Sequence, residues 1–122
     1  MAEAYLRLYA GDRAAVWSAG LETHGVNPRA IAIMKEDNID ISGQTSNHVD
    51  EYRAIAFDMI ITVCDNARER CPLLPSKARH FHHSFPDPAK EKGSEAGIMD
   101  SFRAVRDEIR EYCRQFAETV LL

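Results

Sequence analysis

Two cysteines seven positions apart, Cys64 and Cys71, are the residues of this sequence best suited to chemistry. On a regular helix that spacing would separate them by roughly 10 Å along the axis, whereas a disulfide needs Cα atoms within about 7 Å. A disulfide between them would therefore require the segment to unwind or loop, so it would report a conformational switch. Arg68 and Arg70 lie between the cysteines and favour the thiolate form. Two inert buried cysteines are the alternative that the spacing leaves open.

Asp87 is the second candidate for chemistry. It lies in the sequence Phe85-Pro86-Asp87-Pro88, where a proline on each side fixes the direction of one carboxylate. A carboxyl group held in this way can act as a general acid if its surroundings raise its pKa. The simpler alternative is an ordinary aspartate that caps a helix starting at Pro88, and local sequence alone favours this alternative.

A group of histidines lies close to Asp87, and with the two cysteines it raises the question of zinc. The members of this set are His80, His82, His83, Cys64 and Cys71. Their spacing matches no familiar zinc-finger pattern, so no metal site is predicted. The third cysteine, Cys113, falls on the apolar side of a predicted helix, and its simplest interpretation is a core residue.

Length, charge and composition limit the classes of protein to consider. A chain of 122 residues with 45% hydrophobic content can form one core. Its 15 basic and 19 acidic residues give 15 − 19 = −4, which argues against nucleic acid as a partner. Apolar runs such as Met59–Val63 are far shorter than the ~18 residues of a membrane span, and no secretion signal is visible. We therefore expect a cytoplasmic protein, where any disulfide would be transient.

The elements that must position these residues alternate between helices and strands. Three helices are predicted. The first covers Ala2–Ala10 and ends at Gly11, the second starts at the capping pair Asn27-Pro28, and the third runs from Ile98 to Val120. Buried sides are predicted at Ala30, Ile31, Ile33 and Met34 in the second helix and at Phe102, Val105, Ile109, Tyr112 and Phe116 in the third. Strands are predicted over Ala15–Ala19, Met59–Val63 and Arg79–His82, and a loop over Asp40–Asp50. This order predicts an α/β fold with a parallel sheet, whose carboxyl edge delivers Cys64.

Eight short motifs follow one another along the chain. They are Met1-Ala2-Glu3-Ala4, Ser18-Ala19-Gly20, His24-Gly25-Val26-Asn27-Pro28, Asp40-Ile41-Ser42, Ile61-Thr62-Val63-Cys64-Asp65, Cys71-Pro72, Phe85-Pro86-Asp87-Pro88-Ala89 and Phe102-Arg103-Ala104-Val105-Arg106-Asp107-Glu108-Ile109. Together they resemble the thioredoxin-coupled arsenate reductases, which serve arsenical resistance and have the low-molecular-weight tyrosine phosphatase fold. The resemblance runs over essentially the whole chain. It implies one domain over residues 1–122, built as a three-layer α/β sandwich with a small parallel sheet.

The resemblance also implies a cysteine relay. In that family a first strand and a Cys-x5-Arg loop precede the segment that matches Met1-Ala2-Glu3, so we expect this strand and loop to be absent here, the domain to be N-terminally incomplete and the chain to be inactive alone. The loop cysteine attacks arsenate while Asp87 protonates the leaving oxygen. Cys64 then releases arsenite, Cys71 attacks Cys64, and thioredoxin reduces the resulting Cys64–Cys71 disulfide.

Some positions depart from the family pattern. His83 stands where a tryptophan is frequent, and Asn47 stands where an aspartate is common. Some relatives bind potassium near residues that match Glu3, Ser18, Thr45 and Asn47, and Asn47 removes one carboxylate from that set. The alternatives to an arsenate reductase are a low-molecular-weight phosphatase, which does not need the Cys64 and Cys71 pair, and a non-catalytic redox-switch or binding protein.

Overall fold

The computed structural model describes residues 1–19, 27–44, 49–52, 54–63, 78–86, 88 and 92–121. These residues form two compact units. The first, the helical unit, contains residues 1–18, 27–44, 86, 88 and 92–121; the second, the sheet unit, contains residues 19, 49–52, 54–63 and 78–85. A single domain over residues 1–122 stays a prediction.

The helical unit contains three α-helices, and all three were predicted from the sequence. They are α1 (Ala2–Ala10), α2 (Pro28–Glu36) and α3 (Glu95–Thr119). A short 3₁₀ turn, Gly11–Arg13, follows α1, and Gly11 ends that helix with a positive φ of 56°. Both α1 and α2 pack against α3. Within the described ranges, no helix is both long enough and apolar enough to cross a membrane.

The starts of α2 and α3 are fixed by side-chain caps. The Asn27 side chain accepts a 2.8 Å hydrogen bond from the backbone N–H of Arg29, as the Asn-Pro pair predicts. The Ser94 hydroxyl accepts one of 3.1 Å from the N–H of Gly97. Arg29 also donates to both carboxylate oxygens of Glu95, at 3.0 and 2.8 Å. The same arginine therefore joins the first turns of the two helices.

The core of the helical unit lies between the three helices. Its most deeply buried side chains are Tyr5, Ile33, Met34, Ile41, Phe102 and Cys113. The predicted buried sides of α2 and α3 are thus largely confirmed, although Ile31 and Tyr112 are only half-buried. Cys113 is 1% exposed, which confirms its interpretation as a core residue.

Arg13 connects the carboxyl ends of α1 and α3. Its guanidinium donates to the carbonyls of Tyr9 and Ala10 at 2.6 and 3.1 Å, and to those of Ala117 and Leu121 at 3.3 and 2.8 Å. The last carbonyls of a helix have no partner within the helix, and the helix dipole makes this end attractive to a cation. One side chain therefore satisfies the ends of both helices.

A polar network joins the three helices beside the core. The hydroxyl of Tyr5, whose side chain is fully buried, donates a 2.7 Å hydrogen bond to Asp37, which also accepts one of 3.0 Å from Arg110. Burial and the bond to Asp37 raise the pKa of Tyr5. The bond from Tyr5, assisted by Arg110, holds the pKa of Asp37 below its usual value. The network therefore stabilises Tyr5 as a neutral donor and Asp37 as an anion.

Replacing Tyr5 by phenylalanine should lower the free energy of unfolding by about 1.5–3 kcal/mol, because Asp37 loses a charge-assisted hydrogen bond from a buried donor. Tyr9→Phe is the matched control, since Tyr9 lies half-buried on the same helix with its ring stacked on Tyr5. Urea unfolding measures both variants. Equal losses in the two variants would contradict this account of the network.

The effect of Tyr5→Phe should also depend on pH. Asp37 has a lower pKa in the folded chain than its ordinary value near 4 in the unfolded chain. Its contribution to stability is therefore fully present above about pH 4 and is lost as the pH falls through the folded-state pKa. The difference in unfolding free energy between wild type and Tyr5→Phe should shrink in acid over this range.

The strand predicted over Ala15–Ala19 is wrong. These residues form no regular element, and Trp17 is 47% exposed. Ala14, directly before the segment, has an extended conformation. Within the segment, the Val16 carbonyl accepts a 2.6 Å hydrogen bond from the Arg7 guanidinium and not from a neighbouring strand. A strand forms only where a neighbouring strand pairs with its backbone, and a short apolar run does not reveal whether that neighbour is present.

The sheet unit contains the two other predicted strands, β1 (Met59–Thr62) and β2 (Arg79–His82). They are parallel, and the register places Met59 opposite Arg79 and Thr62 opposite His82. This confirms the predicted parallel sheet. The burial expected for β1 is confirmed only in part, since Thr62 is buried and the other three residues are half-buried. The last two residues of the predicted loop, Val49 and Asp50, begin a 3₁₀ turn, Val49–Tyr52.

Candidate functional site

The three predicted catalytic residues, Cys64, Cys71 and Asp87, lie outside the described residues, and their roles stay predictions. Two of them directly follow described segments in the sequence. Val63 continues from β1 and precedes Cys64, and residues 83–86 continue from β2 and precede Asp87. The structure therefore describes the edge of the sheet from which both segments depart.

This edge is formed by the carboxyl ends of two parallel strands. Beyond the paired residues, the N–H of His83 donates to the carbonyl of Thr62 at 3.0 Å, and the N–H of Phe85 donates to that of Val63 at 3.1 Å. The chain segments that lead to Cys64 and Asp87 are therefore hydrogen-bonded to each other where they leave the sheet. Open α/β sheets place their binding and catalytic groups at this kind of edge.

A side-chain pair, Thr62 and His82, lies at the same edge. The Thr62 Oγ1 is 2.6 Å from the His82 Nδ1 and 3.4 Å from the carbonyl oxygen of Phe81. Thr62 is only 8% exposed and is the buried polar residue of β1. The sequence did not single out Thr62 because threonine is common in β-strands, so its presence in β1 suggests no role beyond forming the strand. A hydroxyl within an otherwise apolar strand is the signal that could have found it.

Other aromatic and basic side chains lie along β2 and in the residues that follow it. The His83 and Phe85 rings lie with centroids 4.5 Å apart, and the Arg79 guanidinium lies 5.2 Å from the centre of the Phe81 ring. On the neighbouring segment, Val63 is 38% exposed. The carboxyl edge therefore combines the exposed apolar residue Val63 with the rings of His83 and Phe85, whereas Arg79 lies at the amino end of β2.

The histidines do not form a metal site in the described part of the chain. Over those residues, no group of three or more His, Cys, Asp or Glu side chains is arranged to hold a metal ion. His80 is exposed, whereas His82 and His83 are half-buried. Any set that also includes Cys64 or Cys71 falls outside the described residues.

Two of the four residues matched to the potassium site are described. The Ser18 hydroxyl donates a 3.1 Å hydrogen bond to Glu3, whose carboxylate is mostly buried. Oxygen donors of this kind suit a hard cation. The Arg7 guanidinium, 3.6 Å from the same carboxylate oxygen, already supplies positive charge there. Thr45 and Asn47 lie outside the described residues, so potassium binding stays a prediction.

Cys113 is a poor nucleophile in the folded chain. Its sulfur lies 3.7 Å from the carbonyl oxygen of Ala2, within the helical core. Burial raises the pKa of the thiol to about 11, with the nearby N-terminal amino group acting weakly in the opposite direction. Since the thiolate is the reactive form, Cys113 stays protonated and unreactive at neutral pH.

Comparisons with known proteins agree with this architecture. The family described as low molecular weight phosphotyrosine protein phosphatase matches residues 1–121. An arsenate reductase of Halalkalibacterium halodurans is 45% identical over 119 residues, which cover 98% of this chain and 86% of that protein.

Solved structures of arsenate reductases are similar as well. One in the oxidised state is 32% identical, with a TM-score of 0.73 over 93% of this chain and 82% of that one. Another, in the reduced state, is 31% identical, with a TM-score of 0.74 over 98% and 86%. The predicted low-molecular-weight phosphatase-like fold, with helices and a small parallel sheet, is confirmed.

Proposed function

The chain belongs to the low molecular weight phosphotyrosine protein phosphatase family and is similar over nearly its whole length to arsenate reductases, and from this premise we propose that it acts in the reduction of arsenate to arsenite. The 45% identity to an arsenate reductase over 98% of the chain is the observation that carries the proposal. Cys64 and Cys71 are the second and third cysteines of the relay. The parallel sheet supports this assignment, because Val63 leads to Cys64 from its carboxyl edge.

The reaction transfers two electrons from thiols to arsenic. A loop cysteine attacks arsenate, and Asp87 donates a proton to the oxygen that leaves as water. Cys64 attacks the sulfur of the arsenylated cysteine, so the sulfur–arsenic bond breaks, its electron pair reduces arsenic(V) to arsenic(III), and arsenite departs. Cys71 then attacks Cys64 and frees the loop cysteine. The products are arsenite, water and a Cys64–Cys71 disulfide, so two thiols have been oxidised and one arsenate reduced.

Thioredoxin is the partner that completes this cycle. A dithiol reductant attacks the Cys64–Cys71 disulfide and returns both thiols, while the reductant itself becomes a disulfide. This exchange requires a compartment that keeps the reductant reduced, so the proposed location is the cytoplasm. Solved arsenate reductases in oxidised and reduced states support a redox cycle of this kind.

The test compares two purified polypeptides. The first has these 122 residues, and the second carries a strand and a Cys-x5-Arg loop upstream of Met1. With thioredoxin, its reductase and NADPH, the second should release arsenite and the first should not, because only the second carries the upstream loop that supplies the attacking cysteine and stabilises the oxyanion. Arsenite release by the 122-residue polypeptide would show that no loop cysteine is needed. If the extended polypeptide releases no arsenite, the proposed arsenate reduction is rejected.

Phosphatase activity is the second candidate, and the description of the matching family favours it. The same loop would bind phosphate, so the extended polypeptide should also be assayed with p-nitrophenyl phosphate. Hydrolysis without arsenite release would assign the chain to the phosphatases.

A further inference from the structure

The backbone of β1 leaves the sheet in an unusual way. In a strand, successive carbonyls point to opposite sides, so one neighbouring strand donates hydrogen bonds to the carbonyls of alternate residues only. Here two consecutive carbonyls, those of Thr62 and Val63, accept hydrogen bonds from the segment containing His83 and Phe85. The backbone must therefore depart from the regular pleat between Thr62 and Val63. This departure lies immediately before Cys64 in the sequence.

The Thr62 hydroxyl is placed at this departure from the sheet. It bonds His82, its cross-strand partner, at 2.6 Å, so the pair links β1 and β2 through side chains at their last paired position. The bond is compatible with both charge states of the imidazole. When Nδ1 carries no proton, the Thr62 hydroxyl donates to it. When Nδ1 carries a proton, the hydroxyl accepts from Nδ1–H, and its own proton is directed towards the Phe81 carbonyl.

We propose that the Thr62–His82 hydrogen bond is a clamp that positions Cys64 for disulfide exchange with Cys71. The proposal rests on the proposed function, since it concerns the same relay. Cys64 is two residues from Thr62, so the chain holds the two Cα atoms within about 7 Å of each other. A fixed point of departure for β1 therefore limits the positions that Cys64 can reach. Thr62 and His82 are positioning residues and do not themselves react.

Disulfide closure in the 122-residue chain tests the clamp without arsenate. Glutathione disulfide is the oxidant: one cysteine attacks it and releases one glutathione, and the other cysteine displaces the second glutathione to form the Cys64–Cys71 bond. Alkylation and mass spectrometry at intervals give the closure rate. Thr62→Val keeps the side-chain shape but loses the hydroxyl, and it should slow closure by ~10-fold or more, as misplaced reacting groups do. Thr62→Ser should remain within about twofold of wild type, because it keeps the hydroxyl.

Two substitutions of His82 separate the hydrogen bond from the rest of the ring. His82→Asn places an acceptor close to the position of Nδ1, and closure should stay close to wild type. His82→Gln places its polar group near the position of Nε2, and closure should slow as in Thr62→Val. His80→Gln is the matched control, because His80 lies on the same strand and is exposed.

The outcomes distinguish the clamp from the relay. If wild type forms no Cys64–Cys71 disulfide, the relay and the clamp are both rejected. If wild type closes and Thr62→Val closes equally fast, only the clamp is rejected. Thermal unfolding and the protection of Cys113 from alkylation show whether each variant is folded, since Cys113 is buried. Should Thr62→Val unfold, the two His82 variants decide, and equal closure rates for them would reject the clamp.

Discussion

In the polypeptide that carries an upstream Cys-x5-Arg loop, replacing Cys64 or Cys71 by serine should abolish thioredoxin-dependent arsenite release, with a loss of about 10³-fold or more. Serine has nearly the size of cysteine, but its hydroxyl cannot form a disulfide, so the electron transfer to arsenic cannot be completed. Steady-state arsenite release, measured with excess thioredoxin, gives the size of the loss.

Single-turnover measurements should separate the two cysteines. Cys64→Ser should release no arsenite, because the arsenylated loop cysteine is never attacked. Cys71→Ser should release one equivalent and then stop, because the loop cysteine remains bonded to Cys64. Cys113→Ser is the matched control and should remain largely active, since this thiol is buried and protonated. Equal losses at all three positions would contradict the relay.

Replacing Asp87 by asparagine in the same polypeptide should slow the chemical step by ~10²–10⁴-fold, the range usual for the loss of a general acid. The amide has nearly the same shape as the carboxylic acid but is a far weaker acid, so the departing oxygen must be protonated from elsewhere. Rapid-quench measurement of the first turnover isolates this step. Thermal unfolding should show little change in Tm.

Asp12→Asn provides the comparison for Asp87→Asn, because Asp12 is exposed in the turn after α1. Its rate should equal that of the parent polypeptide. The pH dependence of the first turnover is a second readout, since the Asp87 variant should lose the decline that follows ionisation of the acid. An unchanged rate across pH would leave Asp87 as a helix cap.

The elements that could be predicted from the sequence are those whose signals are local. The Asn27-Pro28 cap starts α2 at Pro28, and an apolar repeat close to 3.6 residues gives α3 over most of its length. Both β1 and β2 were found from their composition and the breakers around them. In each case, the residues that determine the element lie within it or directly beside it.

The features that could not be predicted depend on residues far apart in sequence. Ala15–Ala19 has the composition of a strand, but strand pairing is decided by a partner that the segment itself does not encode. The hydrogen bond between Thr62 and His82 joins positions 20 residues apart, and only the register of β1 against β2 brings them together. The candidate site was predicted from its cysteines and its aspartate, whose chemistry is visible in their residue types. Their geometry lies outside the described residues.

Arg13 also has a consequence for motion. Helix ends normally fray independently, with local openings that need little free energy. Because the Arg13 guanidinium donates to carbonyls at the ends of both α1 and α3, opening of the α1 end, which carries Arg13, also removes donors from the α3 end. We therefore expect opening of the last turn of α1 to release the end of α3 as well, although the two ends are distant in sequence.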